Sequence, residues 1–469
     1  MYKSKLIEIF KSFDRAEKLG FRRWVNSSIH NQHKDVIKLT DFLLSRRKLT
    51  PITLQRERVY KHLYPNSKYN LHRLNHVLSF TVEVMEAYIQ YLTLKNKPIE
   101  ELCFISEYYT NKSLSHLAQK KLKKAQQVLE DSTYQNDSYY HHSFLLEQTL
   151  FELEGTELRR HQTNLQAIFT DLTTFTIIAT LKNACTAISH RNLYQNDYKI
   201  PLLDAILKEA QTPTYAQNFV VKSYYHCYMA LAHPKEEKHF TIIKELLLSK
   251  KILLPPKELK HVCLLVINYC IKRFNTGAEA YVQQVFDIYS FGLDQKIWLE
   301  KGYLSHNTFK NIANAALRLK AYEWTDSFVK EYGSKIKTSH QKDYTNYIKA
   351  KILFEQGHFL AAQQVLITTD SIDLFIGLAI KLLLLKIYWK LGEFDLLEAH
   401  LDSFSVYLNR KKILAYHRQI YGNTISITRK MIYANWEIKA DQEKLHQLIL
   451  QTNPLTERPW LLKQLDLIK

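Results

Sequence analysis

The sequence predicts an all-α protein built from antiparallel helix pairs that follow one another along the chain. Three observations support this fold class. First, the 469 residues contain only 10 Gly and 10 Pro, which leaves few positions for tight hairpins. Second, apolar residues recur at helical spacing in many segments, and no stretch shows sustained strand alternation. Third, no proline occurs from Lys257 to Asn453. The scarcity of glycine also argues against glycine-rich loops that cradle phosphates.

The first 98 residues are predicted to form a basic N-terminal helical domain. Residues 1–100 hold 19 basic and 9 acidic side chains, a net charge of +10, and the whole chain has a net charge of +19. Thr50 and Pro51 have the residue types of an N-cap and a first helical position. The predicted helices span residues 5–26 (one helix or two short ones), 34–44, 50–63 and 69–94.

Residues 99–300 are predicted to form an irregular array of helical hairpins. Polar or proline-bearing separators divide this region into helical segments, and short connections of this kind join antiparallel neighbours. The separators are Glu130–Ser138, Asn192–Pro201, Thr212-Pro213, His233-Pro234 and Pro255-Pro256.

Residues 301–469 contain the clearest internal repetition, between 306 and 410. Apolar stripes at helical spacing alternate with turns at Gly357 and Gly392, and an earlier unit has Lys320-Ala321 at the same place. An aromatic residue opens the second helix of each pair at 322, 359 and 394. The predicted stripes are Tyr347, Ala350 and Phe354; Phe359, Ala362 and Leu366; Leu384, Tyr388 and Leu391; and Phe394, Leu397, Leu401 and Phe404.

This region resembles the tetratricopeptide-like (TPR-like) helical repeat superfamily. The resemblance is carried by Ala350, Gly357, Phe359, Ala362 and Leu366, which stand at the offsets of the family. The second unit keeps the turn glycine and the aromatic but has Leu397 where a small residue is expected, and the proline between repeats is missing. The resemblance implies a right-handed superhelix of helix pairs over residues 301–469, with no one ligand implied.

Cysteine usage predicts a reducing, cytoplasmic location. The five cysteines are too scattered for a disulfide scaffold. Cys263 and Cys270 would lie about 10.5 Å apart along one helix face, beyond the roughly 7 Å that a disulfide spans. We expect no signal peptide at the charged N-terminus and no membrane span, because the apolar stretch 375–389 is short and contains two lysines.

No catalytic motif is found, so the sequence predicts a non-enzymatic protein without cofactor or metal. His72 and His76 stand four residues apart and could hold a metal from one helix face, but Arg73 between them opposes a cation. Glu-x-x-His pairs occur at Glu236/His239, Glu355/His358 and Glu443/His446. A solvated polar face is favoured for the two histidines. The Glu-x-x-His pairs are not far above chance occurrence; one straddles the predicted turn at Gly357, and the other two lie in charged helix starts.

The basic N-terminal region offers a second hypothesis, binding of nucleic acid. Cations could contact phosphates, and the interleaved rings of Trp24, Tyr60, Tyr64 and Tyr69 could stack on bases, although such rings are also ordinary packing residues. The candidate anion-binding residues are Arg22, Arg23, Arg46, Arg47, Lys48, Arg56, Arg58, Lys61 and Arg73, with Lys68 beside them.

The favoured function is a scaffold or adaptor that holds a peptide or helix of a partner protein in a groove. Side chains pointing away from the stripe of Tyr347, Ala350 and Phe354 are candidate contacts, namely Asn346 and Lys349. A cationic groove would favour acidic partner segments. The alternative is a nucleic-acid-associated or regulatory protein that uses residues 1–98.

Overall fold

The structure, a computed structural model, describes residues 1–154, 163–194, 196–249, 254–369, 373–410 and 415–468. The predicted separator at 192–201 includes residue 195, which lies outside the described residues. The all-α prediction is confirmed. Across the described ranges the only strands are β1 (Leu299–Glu300) and β2 (Tyr303–Leu304), which pair antiparallel. Two compact units are found, Met1–Ala179 and Thr180–Lys469, and the division falls within one helix.

The first unit contains eight complete helices and the start of a ninth in its described part. They are α1 (Lys5–Ser12), α2 (Arg15–Val25), α3 (Lys34–Leu44), α4 (Arg56–Leu63), α5 (Leu71–Lys95), α6 (Pro98–Asn111), α7 (Ser115–Glu130), α8 (Asp137–Glu154) and α9 (Leu165–Tyr194). One buried apolar cluster gathers residues between 6 and 88, and another gathers residues between 99 and 153.

Polar caps explain where the N-terminal helices begin. Residues 5–25 form two helices because Asp14 and Glu17 make a reciprocal capping box, each side chain accepting a backbone N–H at 2.8 Å. The Asn70 side chain accepts the N–H of Arg73, so α5 begins two residues later than predicted. The prediction that Thr50 caps a helix starting at Pro51 is wrong, because residues 51–54 form turns and α4 begins at Arg56.

The second unit continues with helices and one short 3-10 turn. They are α10 (Leu203–Glu209), α11 (Pro213–Ala216), α12 (Phe219–Ala232), α13 (Glu237–Leu248), α14 (Pro256–Asn275), α15 (Tyr281–Asp294), α16 (His306–Arg318), α17 (Tyr322–Tyr332), η1 (Gly333–Lys335), α18 (Thr338–Glu355), α19 (Phe359–Ile367), α20 (Leu374–Leu391), α21 (Phe394–Arg410), α22 (Ala415–Ile432), α23 (Lys439–Gln451) and α24 (Arg458–Ile468).

Packing in the second unit joins helices that are close in sequence. From α12 to α24 each helix contacts the next one along the chain. In addition α12 packs on α14, α16 packs on α18, and α18 packs on α20. Each helix can therefore bury more than one side, which is what successive helix pairs require to hide their apolar stripes.

The predicted helix-ending turns share one backbone geometry. Gly357 and Gly392 have φ of +83° and +72°. The N–H of His358 donates to the Leu353 carbonyl at 2.8 Å, and that of Glu393 donates to the Tyr388 carbonyl at 3.1 Å. These bonds satisfy carbonyl groups at the helix ends.

The same turn occurs at Lys320 without a glycine. Lys320 has φ of +59°, and the N–H of Ala321 donates to the Ala316 carbonyl at 3.0 Å. The left-handed backbone conformation is unfavourable for a residue with a Cβ atom. The geometry of the turn is therefore kept, with backbone strain stored at Lys320.

The apolar stripes are buried with five exceptions: Phe354, Phe359, Tyr388 and Leu391 are half-buried, and Phe394 is exposed. Ala350, Ala362, Leu397, Leu401 and Phe404 are buried, as predicted. The prediction that Phe394 belongs to a buried stripe with Leu397 and Leu401 is wrong, because Phe394 is 45% exposed. Phe354 and Phe359 are only half-buried and contact each other, with ring centroids 5.4 Å apart. Burial in these pairs therefore depends on aliphatic side chains more than on the opening aromatic.

No described helix combines the length and apolar character needed to cross a membrane. All five cysteines are buried and free. Burial raises the pKa of the Cys103 thiol to about 11 and the pKa values of Cys263 and Cys270 to about 12.

We expect opposite effects of two substitutions at equivalent turns. Lys320→Gly should raise the free energy of unfolding by roughly 0.5–1 kcal/mol, because glycine relieves the left-handed strain. Gly357→Ala should lower the free energy of unfolding by about 1 kcal/mol, because alanine is unfavourable in the left-handed backbone conformation. An added Cβ would meet no atom within 4 Å, so no steric clash contributes to this loss. Urea unfolding followed by circular dichroism measures both, and changes of the same sign would contradict the shared geometry.

The buried stripe of α21 provides a second test. Leu401→Ala should lower the free energy of unfolding by about 2–5 kcal/mol, because Leu401 is fully buried. Val406→Ala on the same helix should change it by no more than about 0.5 kcal/mol, since Val406 is 46% exposed. Equal shifts of the two urea midpoints would refute the assignment of the stripe.

Candidate functional site

A stripe of polar side chains runs along one face of α16. Its four members are spaced four residues apart, so they lie above one another on the helix. They are His306, Lys310, Asn314 and Arg318. The apolar face of the same helix is buried, which leaves this stripe as the polar edge of α16.

Side chains of α18 and the residue that caps α20 lie against this stripe, and charged side chains of α20 and of the segment before α24 lie near Lys351 of α18. The Lys351 ammonium of α18 donates to Asn314 Oδ1 at 2.7 Å. The rings of His306 and His340 lie 4.3 Å apart, and Asp373 stands near both. Lys386 of α20 donates to Glu457 and lies 5.6 Å from the Trp460 ring. We call the following set the polar seam: His306, Lys310, Asn314, Arg318, His340, Lys351, Asp373, Lys386 and Glu457.

Lys351 is the most perturbed cation of the polar seam. Burial is the main cause that lowers the pKa of its ammonium group to about 8, and the nearby charge of Lys386 contributes to that lowering. Glu457 and Glu355 act in the opposite direction without restoring the ordinary value. The hydrogen-bond acceptor at 2.7 Å is a neutral amide, so Lys351 carries a desolvated charge that a carboxylate would stabilise.

The other end of the polar seam gathers two imidazoles around one carboxylate. His306 Nε2 and His340 Nδ1 lie 3.9 and 3.7 Å from Asp373 Oδ2. Asp373 also caps α20 by accepting the N–H groups of Phe375 and Ile376. Burial lowers the pKa of His306, and burial also lowers the pKa of Lys310. Desolvation therefore acts on cationic groups along the length of the seam.

A small cavity of about 190 Å³ adjoins the polar seam between α14, α15 and α16. Its apolar wall is formed by Ile271, Phe274, Val282, Val285, Tyr289 and Ala315, and its polar edge by Asn275, Asn311, Asn314 and Arg318. The guanidinium of Arg318 lies 4.5 Å from the centroid of the Phe274 ring. An apolar side chain could enter this cavity while its backbone stays near the polar seam.

The predicted contacts Asn346 and Lys349 lie elsewhere on α18. Asn346 donates its amide to Thr369 Oγ1 at 3.1 Å, and Lys349 is exposed. Lys349 and Lys351 are separated by about 200° around the helix, because each residue turns the helix by about 100°. The two predicted residues therefore do not join the polar seam.

The cations predicted to bind anions are distributed over the first unit. Arg22 pairs with Asp41 at 2.8 Å, and Arg46 lies 4.6 Å from the Phe42 ring. Arg73 lies 3.7 Å from the Tyr64 ring and lines a cleft. The remaining predicted cations are exposed; they are Arg23, Arg47, Lys48, Arg56, Arg58, Lys61 and Lys68.

The rings interleaved with these cations belong largely to the core. Tyr60 and Tyr64 are buried, and Trp24 stacks on His30 with centroids 3.5 Å apart. Tyr69 is 44% exposed. The hypothesis that this series of rings forms a stacking platform is therefore wrong for Tyr60 and Tyr64, whose faces are covered.

The described residues contain no group of three His, Cys, Asp or Glu side chains arranged to hold a metal ion. His72 and His76 line the cleft of the first unit instead. Glu236 Oε2 and His239 Nε2 lie 3.5 Å apart, and His239 Nδ1 is 2.8 Å from His226 Nδ1.

Comparison with protein-family models, with curated proteins and with solved structures gives no match for this chain.

The polar seam could be predicted only in part from the sequence. The spacing of four between His306, Lys310, Asn314 and Arg318 is visible in the sequence. The meeting of Asn314 with Lys351 depends on how α16 packs on α18, which periodicity alone does not reveal.

Asn314→Asp tests the electrostatic state of Lys351. The new carboxylate should raise the pKa of Lys351 by about 1 or more, because it replaces a neutral acceptor. Competitive acylation at several pH values, read by mass spectrometry, measures this pKa. In the wild type we expect a midpoint near 8. Asn346→Asp introduces the same change on another face of α18 and should leave the midpoint of Lys351 in place.

The lowered pKa also predicts the sign of a stability change. Between pH 8 and 10.5 the unfolded chain holds the Lys351 proton more tightly than the folded chain does. The contribution of Lys351 to the free energy of unfolding should therefore rise with pH across this window. Lys351→Met should remove that rise, and an unchanged pH profile in urea titrations would contradict it.

Proposed function

We propose that the protein is a non-enzymatic adaptor whose second unit forms a TPR-like superhelix and binds an acidic segment of a partner protein along the polar seam. The superhelix is supported by the contacts of α16 with α18 and of α18 with α20, and by the recurring turn geometry. The resemblance of residues 301–469 to TPR-like repeats is consistent with it. The buried, free thiols favour a reducing, cytoplasmic compartment.

The single observation that carries the proposal is the hydrogen bond of 2.7 Å from the half-buried Lys351 ammonium to the neutral amide of Asn314. A buried cation without a carboxylate is unfavourable unless a ligand supplies the opposite charge. In the polar seam and its surroundings, Arg318, Lys351 and Lys386 stand against Glu355 and Glu457, which leaves an excess of positive charge near Lys351. A carboxylate from a partner would offset that excess through charge-assisted hydrogen bonds.

The neighbouring cavity defines the rest of the ligand. Its volume of about 190 Å³ and apolar wall suit a single aliphatic side chain next to the acidic one. The ligand class is therefore an acidic peptide segment that also carries apolar residues. The charged contacts would orient the peptide, and burial of its apolar side chain would contribute affinity.

A peptide of alternating glutamate and leucine, labelled with fluorescein, is the probe for this function. We expect saturable binding to the full-length protein by fluorescence anisotropy, and no binding of a matched peptide in which lysine replaces glutamate. Lys351→Glu should weaken binding by about tenfold or more, because it reverses the charge that meets the carboxylate.

The matched control is Lys349→Glu, which makes the same charge change at an exposed position of α18. It should change the affinity by less than about twofold. Equal weakening by the two variants, or the absence of saturable binding to the wild type, would reject the polar seam as the binding site. Circular dichroism of both variants controls for folding.

A further inference from the structure

The first unit contains a cleft of about 460 Å³ that the proposed adaptor function does not use. It lies between the start of α3, the segment 64–70 and the first turns of α5. Val36, Val77 and Phe80 form its apolar part. The polar lining comes from His33, Asp35, Tyr64, Asn70, His72, Arg73 and His76. A cleft of this size lies within the range of small-ligand sites.

Tyr64 contacts both Asp35 and Arg73. The Tyr64 hydroxyl donates to Asp35 Oδ2, while the Arg73 guanidinium lies 3.7 Å above the ring of the same tyrosine. Burial raises the pKa of Tyr64 to about 12, and the hydrogen bond to Asp35 contributes, so this hydroxyl keeps its proton. Among the described residues, Arg73 forms no ion pair with a carboxylate. Its charge is thus positioned by the Tyr64 side chain, and Asp35 attracts it without forming an ion pair. Arg73 is exposed, so a ligand in the cleft can reach it.

The imidazoles add hydrogen-bond donors around Arg73. His33 and His76 both lie against Phe80, with ring centroids 4.0 and 5.5 Å from it. His72 lines the cleft one position before Arg73 in the chain, and all three imidazole-bearing residues are exposed. Each imidazole has at least one N–H donor in either protonation state, and a guanidinium has five.

The donor set favours phosphate over carboxylate as the anion. A planar guanidinium makes paired hydrogen bonds to phosphate oxygens, and a phosphate group offers more acceptors than a carboxylate does. The cleft exceeds the size of the anion itself, and its apolar part lies beside the donors. The ligand therefore has a phosphate joined to a larger, partly apolar group.

We propose that this cleft binds the phosphate of a nucleotide unit, with Arg73 as the principal contact and His33, His72 and His76 as further donors. The nucleotide is either free or part of a single nucleic-acid strand, since the two share this chemistry. The excess of basic over acidic side chains in residues 1–100 would increase the rate of encounter with either form.

Three probes distinguish a free nucleotide, a nucleic-acid strand and phosphate alone as the ligand. They are inorganic phosphate, adenosine monophosphate and a fluorescein-labelled oligothymidylate, each titrated into the full-length protein at low salt. We expect the mononucleotide, the strand or both to bind saturably, and inorganic phosphate to bind more weakly than either. Arg73→Ala should weaken nucleotide binding about tenfold. Arg73→Lys should recover only part of the affinity, because it keeps the charge without the planar fork.

Arg15→Ala is the matched control, because it removes one exposed arginine of the same unit that neither lines the cleft nor belongs to the candidate anion-binding residues. It should change the affinity by less than about twofold. Equal loss of affinity with Arg15→Ala and Arg73→Ala would show a diffuse charge effect and overturn the proposal. Saturable binding of inorganic phosphate alone, or of none of the probes, would overturn it as well. Circular dichroism establishes that each variant is folded. The nucleotide titrations do not depend on whether the peptide probe binds the polar seam, so the two proposals can fail separately.

Discussion

Mutual burial of helix faces is the constraint on which the rest of the second unit depends. In the described chain the only strands are two residues long, so helices can hide their apolar stripes only against one another. The contacts of α16 with α18 and of α18 with α20 bury apolar side chains of all three helices, and the polar seam lies beside these contacts. Lys351 of the polar seam lies close enough to apolar neighbours to lose much of its hydration. The packing therefore produces the electrostatic character of the polar seam.

Helical periodicity and turn chemistry sufficed to predict the class of fold and many element boundaries. Gly357 and Gly392 end helices in the left-handed conformation that only glycine adopts at little cost. Lys320 adopts it as well, and no residue preference reveals this. Helical spacing predicts that Phe394 is buried with the rest of its stripe, but α21 turns Leu397 and Leu401 inward instead. Which apolar residues of a helix are covered depends on the neighbouring helix, which a pattern in one segment does not specify.

The candidate sites were predictable only as residue types. The sequence shows where cations are concentrated, and Arg73 does line a cleft. The cations interleaved with Tyr60 and Tyr64 suggest rings that stack on bases, yet both tyrosines are buried. Lys351 was not singled out, because a lysine in a helical pattern gives no sign of desolvation until the helix opposite it is known. Pairings between distant segments, such as Asn314 with Lys351 and Asp35 with Tyr64, are properties of the folded chain.

The distribution of thiols gives each unit its own internal reporter. Cys103 belongs to the first unit, and the other four cysteines belong to the second. Because native thiols are covered, a maleimide can modify them only when the surrounding helices open. The rate at which Cys103 acquires the label therefore reports the opening of one unit, and the rates at the other four report the opening of the second. The native sequence thus allows the local stabilities of the two units to be compared without introducing any probe.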